Sequence, residues 1–191
     1  MVLTIEHLIE IMPRLRSIDS DKLKEYFNAL TPALIEFEII APLRVAAFLA
    51  QIAHESGQLK YWEEIWGPTP AQKGYEGRAD LGNTEPGDGY KYRGRGPIQI
   101  TGRDNYKHYG ALLNLHLIEK PDLAALPENG FRIAACYWKT HGLNELADGK
   151  VVVDFRMITR RINGGYSHLF ERLEFWEKAK KTFGVEAEKA P

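Results

Sequence analysis

Residues 44–64, RVAAFLAQIAHESGQLKYWEE, constrain this chain more than any other stretch. Ala46, Ala47, Leu49, Ala50, Ile52 and Ala53, with Leu43 before them, are apolar on nearly every face of a 3.6-residue helix. That pattern predicts a rod buried in a core, not an amphipathic surface helix. Gly57 stands where a left-handed residue ends a helix, so the rod is expected to stop near His54 and Glu55. Glu55 then projects from the last turn, close to the negative end of the helix and partly out of water. Both circumstances disfavour charge on a carboxyl and suit a general acid.

Glu64 lies nine residues further on. A continuous helix would carry it roughly 13.5 Å along the axis and onto the opposite face, where the two carboxyls could not share a substrate. A bend after Gly57 can instead bring Glu64 to about 6.5–9.5 Å from Glu55, the separation at which an inverting glycosidase seats a water. The same residues also fit a helix-end carboxylate beside two solvated charges, Glu63 and Glu64. Spacing alone leaves both readings open.

A chain of 191 residues suffices for one domain with a real core, cleft at most into lobes. The single cysteine, Cys136, excludes an intramolecular disulfide, and within FRIAACYW it reads as a small buried hydrophobe, not a nucleophile. MVLTIEHLIEIMP has no basic leader and is interrupted by Glu6, His7 and Glu10, so it does not read as a secretory signal. No apolar run reaches the length of a membrane span, and no membrane insertion is expected. Charge is split: residues 1–90 hold 8 basic and 14 acidic side chains, residues 91–191 hold 17 and 12. The split either places positive potential on one wall of a cleft or cancels across the fold.

Taken in order, Thr4 is placed to cap a helix over residues 5–12, and Asp19 or Ser20 to open a second through Leu30. Thr31 followed by Pro32 predicts a short third helix, PALIEF. After Glu64 the glycine- and proline-rich residues 66–96 show little periodicity but carry aromatics and charges, which marks a functional loop region rather than a spacer. A hairpin over residues 90–95 and a strand over residues 97–101 are expected there. Helices return from Asp104, over residues 128–140, and over residues 154–162 with Asp154 as cap and Gly164 as stop. Ser167 is placed to cap a last helix with Leu169, Leu173 and Trp176 facing inward. The sum is a mainly α fold with one elaborated loop region.

Within that loop, Tyr92-Arg-Gly-Arg-Gly-Pro-Ile-Gln-Ile-Thr101 is the most unusual string. Gly94 and Gly96 allow close backbone approach, and Gln99 and Thr101 on a strand would offer an amide and a hydroxyl to one side, enough to bind a sugar or hold a water. They would also serve to satisfy loop backbone groups. The glycines lack phosphate-loop spacing, His54-Glu55 lacks the second histidine of HExxH, and no GxSxG elbow occurs, so neither a metal ion, a cofactor nor a serine nucleophile is called for. Arg93, Arg95, Arg103 and Lys107 could form a nucleic-acid arm, but the domain lacks the basic charge that such binding needs. Trp62, Trp66 and Tyr75 either stack on sugar faces or pack.

Four ordered motifs, AAFLAQIAHESG, a glutamate nine residues past the first, YEGRADLGNTEPGDGYKYRGRGPIQITGRDNY, and ITRRINGG, resemble the family 19 glycoside hydrolases. The similarity spans roughly residues 34–176, and it is nearer to the peptidoglycan-cleaving phage endolysin branch than to the chitinases. What the resemblance implies is a lysozyme-like fold with two lobes around a cleft. Glu55 matches the general acid, Glu64 the general base on the attacking water, and Thr101 the hydroxyl that positions that water. Gln99 and Asn105 fall on substrate-contacting positions, Asn163 and Arg172 on the other side of the cleft, and His54 beside the acid. Asn163 also reads as a helix stop and Arg172 as an exposed helix arginine. The function implied is inverting hydrolysis of the β-1,4 bond of the peptidoglycan strand, with chitinase or lytic transglycosylase as alternatives. A monomer with no separate wall-binding domain is expected, made in a host bacterial cytoplasm and released to the wall by a separate pore former.

Overall fold

The computed structural model describes residues 2–148 and 152–185. The first helix, α1 (Ile5–Ile11), begins as expected with the Thr4 hydroxyl accepting the His7 N–H at 3.2 Å. The second, α2 (Ser20–Glu36), is capped by Asp19, which accepts from the Asp21 and Lys22 N–H groups. The separate third helix does not form. Instead α2 runs through Pro32, and the Thr31 hydroxyl bonds back to the Phe27 carbonyl rather than capping. Leu23, Tyr26, Leu30, Ala33 and Leu34 make one unbroken buried stripe while Pro32 faces solvent, and burial of that stripe outweighs a proline penalty of about 3 kcal/mol.

The rod is α3 (Pro42–Glu55), with Pro42 at its first position and every residue from Val45 to Ala53 buried. After it come α4 (Pro70–Lys73), α5 (Asp88–Lys91), α6 (Arg103–Leu113), α7 (Pro127–Thr140), α8 (Leu143–Ala147), α9 (Val152–Asn163) and α10 (Leu169–Thr182). The expected hairpin is absent: α5 takes up Tyr90 and Lys91, and beyond it Arg95 pairs only through isolated bridges. The expected strand is absent too, because Gln99 takes a left-handed φ of 51° and the only β pairings among the described residues are isolated bridges, Glu63 with Arg95 and Arg95 with Ile100. Asp154 lies inside the first turn of α9 rather than capping it, while Gly164 ends it at φ 71° as expected. Ser167 does not cap α10; His168, at φ 54°, precedes the helix with no side-chain cap. The inward face of α10 carries Arg172, Phe175, Trp176 and Ala179, with Leu169 and Leu173 only half-buried.

Two apolar clusters result. The larger gathers α1, α2, α3 and α10 around Phe48, Leu49, Trp138 and Trp176. The smaller gathers α6 and the preceding loop around Tyr92, Ile100, Tyr106 and Tyr109. Helix α7 divides them, giving Phe131, Ala134 and Trp138 to one and Ile133 and Cys136 to the other. Cys136 is buried, as its apolar run predicts, and burial pushes its thiol pKa up. This is the mainly helical, two-lobed organisation that was expected. Among the described residues no helix is long and apolar enough to cross a membrane.

Candidate active site

Of the predicted residues, Glu55 stands at the seam between the two cores. Ile98 and Tyr137 touch both clusters, and both line a cavity of about 110 Å³ whose wall includes Gln51, Ile52, Glu55 and Ile162. Glu55 reaches it as the last residue of α3, with 27% of its side chain exposed. The sequence led to the expectation of a carboxyl at a helix end, partly out of water, where charge is disfavoured. The structure adds a counter-charge: Arg172 Nη1 from α10 lies 2.6 Å from Glu55 Oε1. Arg172 is 1% exposed and not a surface residue, because its aliphatic stem is enclosed by the α3–α10 contact. Its Nη1 also donates to Gln51 Oε1, and Gln51 Nε2 donates to Thr159 Oγ1 at 2.9 Å. A buried polar chain thus ties α9 to α3 and α10 behind the carboxyl.

His54 does not bond Glu55. Its Nδ1 lies 3.1 Å from Glu171 Oε2, with the His168 ring 5.3 Å away. Burial, followed by the Arg172 charge, lowers its pKa below the usual histidine value, which favours the neutral ring. Asn163 stands exposed at the C-terminal end of α9, next to Ile162 in the cavity wall.

The bend after the rod is sharper than one glycine. Gly57, Gln58 and Leu59 have successive φ values of 56°, 64° and 62°, all left-handed. Ser56 makes this possible: its hydroxyl donates to Ile52 O and accepts the Leu59 N–H, each at 2.7 Å, and its carbonyl accepts the Tyr61 N–H at 2.9 Å. Two non-glycine residues in this region carry a cost of order 1 kcal/mol each, borne by that hydroxyl and by burial of Leu59.

Beyond the bend, Glu64 is held at both oxygens. Gly94 N–H donates to Oε2 at 3.0 Å, Gln72 Nε2 donates to Oε1 at 3.0 Å, and the Glu64 N–H returns a bond to Gly94 O at 2.9 Å. A Cβ on Gly94 would stand 2.7 Å from Gln99 Oε1 and 3.4 Å from both Glu64 Oε2 and Thr101 Oγ1. Glu64, Gln99 and Thr101 therefore converge on one glycine, although not by the strand alternation that was expected. Both backbone roles are also filled: Gln99 Nε2 donates to Gly96 O and Thr101 Oγ1 to Gln99 O. Asn105 Nδ2 donates to Thr101 O at 2.8 Å. Burial first, then the Glu64 charge and a hydrogen bond to it, raise the Tyr75 phenol pKa, so Tyr75 completes the surroundings of Glu64.

Glu63 is occupied elsewhere. Arg93 reaches it at 2.6 Å and Arg95 at 2.9 Å. Arg95, 1% exposed, also bonds Lys91 O, Tyr106 Oη and Asp122. Arg103 clasps the buried Asp88 with two bonds of 2.6 and 2.7 Å. These three arginines are internal struts. Trp62 packs too, stacked on Tyr26 at 4.7 Å and edge-on to Phe131.

Three functional residues were not singled out from sequence. Gln72 left a legible signal, since Thr69-Pro-Ala-Gln72 has the spacing of a capping box, and that box forms. Gln51 and Thr159 left a fainter one: a lone amide in an otherwise apolar rod. Among the described residues no three His, Cys, Asp or Glu side chains cluster as metal ligands. A groove of about 890 Å³ between α2 and the start of α7 is lined by none of the predicted residues. The arrangement at the seam offers a carboxyl beside a guanidinium on the helical wall. On the loop wall it offers a carboxylate fixed by an amide and a backbone N–H beside a hydroxyl, which is equipment for moving a proton at one atom and orienting a water at another.

Compared with known proteins, residues 40–158 match the glycosyl hydrolase 19 family described as chitinase class I. A glycosyl hydrolase family 19 domain-containing protein of Haemophilus influenzae is 32% identical over 180 residues, covering 80% of this chain and 86% of the relative. An endochitinase of Arabidopsis thaliana is 39% identical over 127 residues, 66% of this chain; the matched part is 41% of that plant protein, so the chain spans less than half its length. The structure of a bacterial family 19 chitinase superposes with a TM-score of 0.71 and 25% identity, covering 100% of this chain and 98% of that one. Chitinase C from Streptomyces griseus superposes with a TM-score of 0.74 at 22% identity, covering 98% and 78%.

Proposed function

The chain belongs to the family 19 glycoside hydrolases, and from that premise we propose that it cleaves β-1,4-linked N-acetylhexosamine glycans with inversion, Glu55 acting as general acid and Glu64 as general base. The observation that carries this is the fixing of Glu64 through both oxygens beside Thr101, on a loop whose Ile98 also lines the cavity under Glu55. In this reading Glu55 gives its proton to the leaving oxygen and becomes a carboxylate. Arg172, already in contact, compensates the charge that then appears. Glu64 takes a proton from a water shared with Thr101, and that water attacks the face opposite the leaving group, with no covalent intermediate. Gln99, Asn105 and Asn163 supply amides for acetamido groups. Glu63 is committed to two arginines, which leaves Glu64 as the base.

Chitin is the substrate that the names of the plant and Streptomyces relatives suggest. Peptidoglycan, cleaved between N-acetylmuramic acid and N-acetylglucosamine by an endolysin-type enzyme of phage lysis, is the second reading. The exposed Arg156, Arg160 and Arg161 on α9, the helix that ends at Asn163, favour it, because stem peptides are anionic and chitin is not. That reading carries with it action on the wall of a bacterium whose cytoplasm made the enzyme. Digestion of chitin oligomers and purified peptidoglycan, followed by mass spectrometry and NMR of the new reducing ends, tests both. α-Anomeric products support inversion. Anhydromuramic ends would instead mark a lytic transglycosylase and remove the role given to Glu64.

A further inference from the structure

Beyond Glu64 the loop wall carries an aromatic group that the chemistry above does not use. The Trp66 ring stands 5.3 Å from Tyr90 at an interplanar angle of 70° and 6.3 Å from Tyr75 at 42°. Both neighbours meet it edge-on or tilted, so among the described residues no ring lies parallel to the Trp66 face. Tyr90 is 51% exposed, and the Arg93 guanidinium lies over its ring at 4.2 Å. Because Arg93 is already paired with Glu63, the patch presents aromatic surface and phenol groups with little free charge. It is also rigidly joined to the base. Gln72, which donates to Glu64 Oε1, donates as well to Ile65 O and accepts from the Gly67 and Thr69 N–H groups, so both sides of Trp66 are clamped to the amide that holds Glu64.

We propose that Trp66, Tyr75 and Tyr90 form a sugar-stacking subsite on the Glu64 side of the cleft, receiving an uncharged N-acetylhexosamine ring of the glycan beyond the ring being cleaved. The chemistry is that of a pyranose, whose axial C–H groups make one face apolar while its rim stays hydroxylated. An aromatic face bordered by phenols and a guanidinium complements both parts. The inference rests on the glycosidase reading, since it places the ligand along the same chain that Glu64 acts on.

Of the four tryptophans, Trp138 and Trp176 are 2% and 3% exposed and Trp62 is packed on Tyr26, which leaves Trp66 as the reporter. Glu64→Gln protein titrated with N-acetylglucosamine oligomers of two to six units is expected to show a tryptophan fluorescence change that saturates with the longer oligomers and disappears in Glu64→Gln/Trp66→Phe. In the active background, Trp66→Ala and Tyr90→Ala are expected to raise KM about tenfold for the hexamer, with the penalty shrinking as the oligomer shortens, while Trp66→Phe stays within about threefold. A KM change that is the same at every length, or no fluorescence response to any oligomer in Glu64→Gln protein, overturns the subsite. A wild-type protein that cleaves neither these oligomers nor purified peptidoglycan but whose Trp66 fluorescence still responds to the oligomers would instead overturn the hydrolase reading and keep the subsite.

Discussion

Glu55 and Glu64 sit on walls that are built by different forces. The helical wall is held by packing: α3 is buried on all sides for nine residues, and its carboxyl is placed by where a rod can end. The loop wall has few apolar residues of its own between Glu64 and Gly94, and it is held by directed polar contacts through Gln72, Arg95, Asn83 and Asp88. Packing is non-directional and stabilises the whole domain, whereas a hydrogen bond fixes one atom and contributes only about 1 kcal/mol. One carboxyl is therefore coupled to global stability and the other to local geometry.

The largest expected effect tests whether the two walls are equal partners. Glu55→Gln and Glu64→Gln are each expected to lower kcat by roughly 10²–10⁴; Glu64→Gln should leave the melting temperature nearly unchanged, whereas Glu55→Gln should also lower it because the buried Arg172 loses its counter-charge, read by oligomer hydrolysis and calorimetry. Retained activity in Glu64→Gln alone would break the pairing. Next, Phe48→Ala in the rod is expected to cost about 3–5 kcal/mol in urea unfolding, a global loss. Gln72→Leu sharpens the contrast: it should reduce kcat about tenfold or more while costing roughly 1 kcal/mol of stability, since only the Glu64 loop loses its clamp. A loss of stability as large as that of Phe48→Ala would show that the loop wall belongs to the same cooperative unit.

The smallest effect is on pH. His54 is pushed below its unfolded value by burial and Arg172, so its contribution to stability is complete above about pH 6.5 and is lost as pH falls through the lowered value. His54→Gln should flatten that part of the stability profile, measured by melting temperature between pH 4 and 7.

The same division of forces decides what the sequence disclosed. Elements governed by periodicity were legible: the all-apolar rod, the Asp19 and Thr4 caps, and the Gly57 and Gly164 stops. The helix through Pro32 was not, because a local breaker signal lost to a long-range stripe against α7 that no window of sequence contains. In the loop, Gln99 and Thr101 beside Glu64 were identified but Gln72 was not, and the strand geometry given to the first two was wrong. Gln99 reaches Gly94 from a left-handed turn, which glutamine signals poorly, and Arg93 and Arg95 could not be recognised as struts without knowing where Glu63 and Asp122 lie. The Arg172–Gln51–Thr159 chain joins residues more than 100 positions apart and is invisible to local reading.

The run from Gly57 to Leu59 has a consequence for synthesis. For three residues the backbone follows the mirror image of its ordinary coil, a path that D-amino acids prefer as strongly as L-amino acids avoid it. A semisynthetic protein with D-glutamine at position 58 should thus fold more readily than the natural one, and the span between the two reacting groups can be lengthened or shortened by editing this mirror-image hinge without touching either wall.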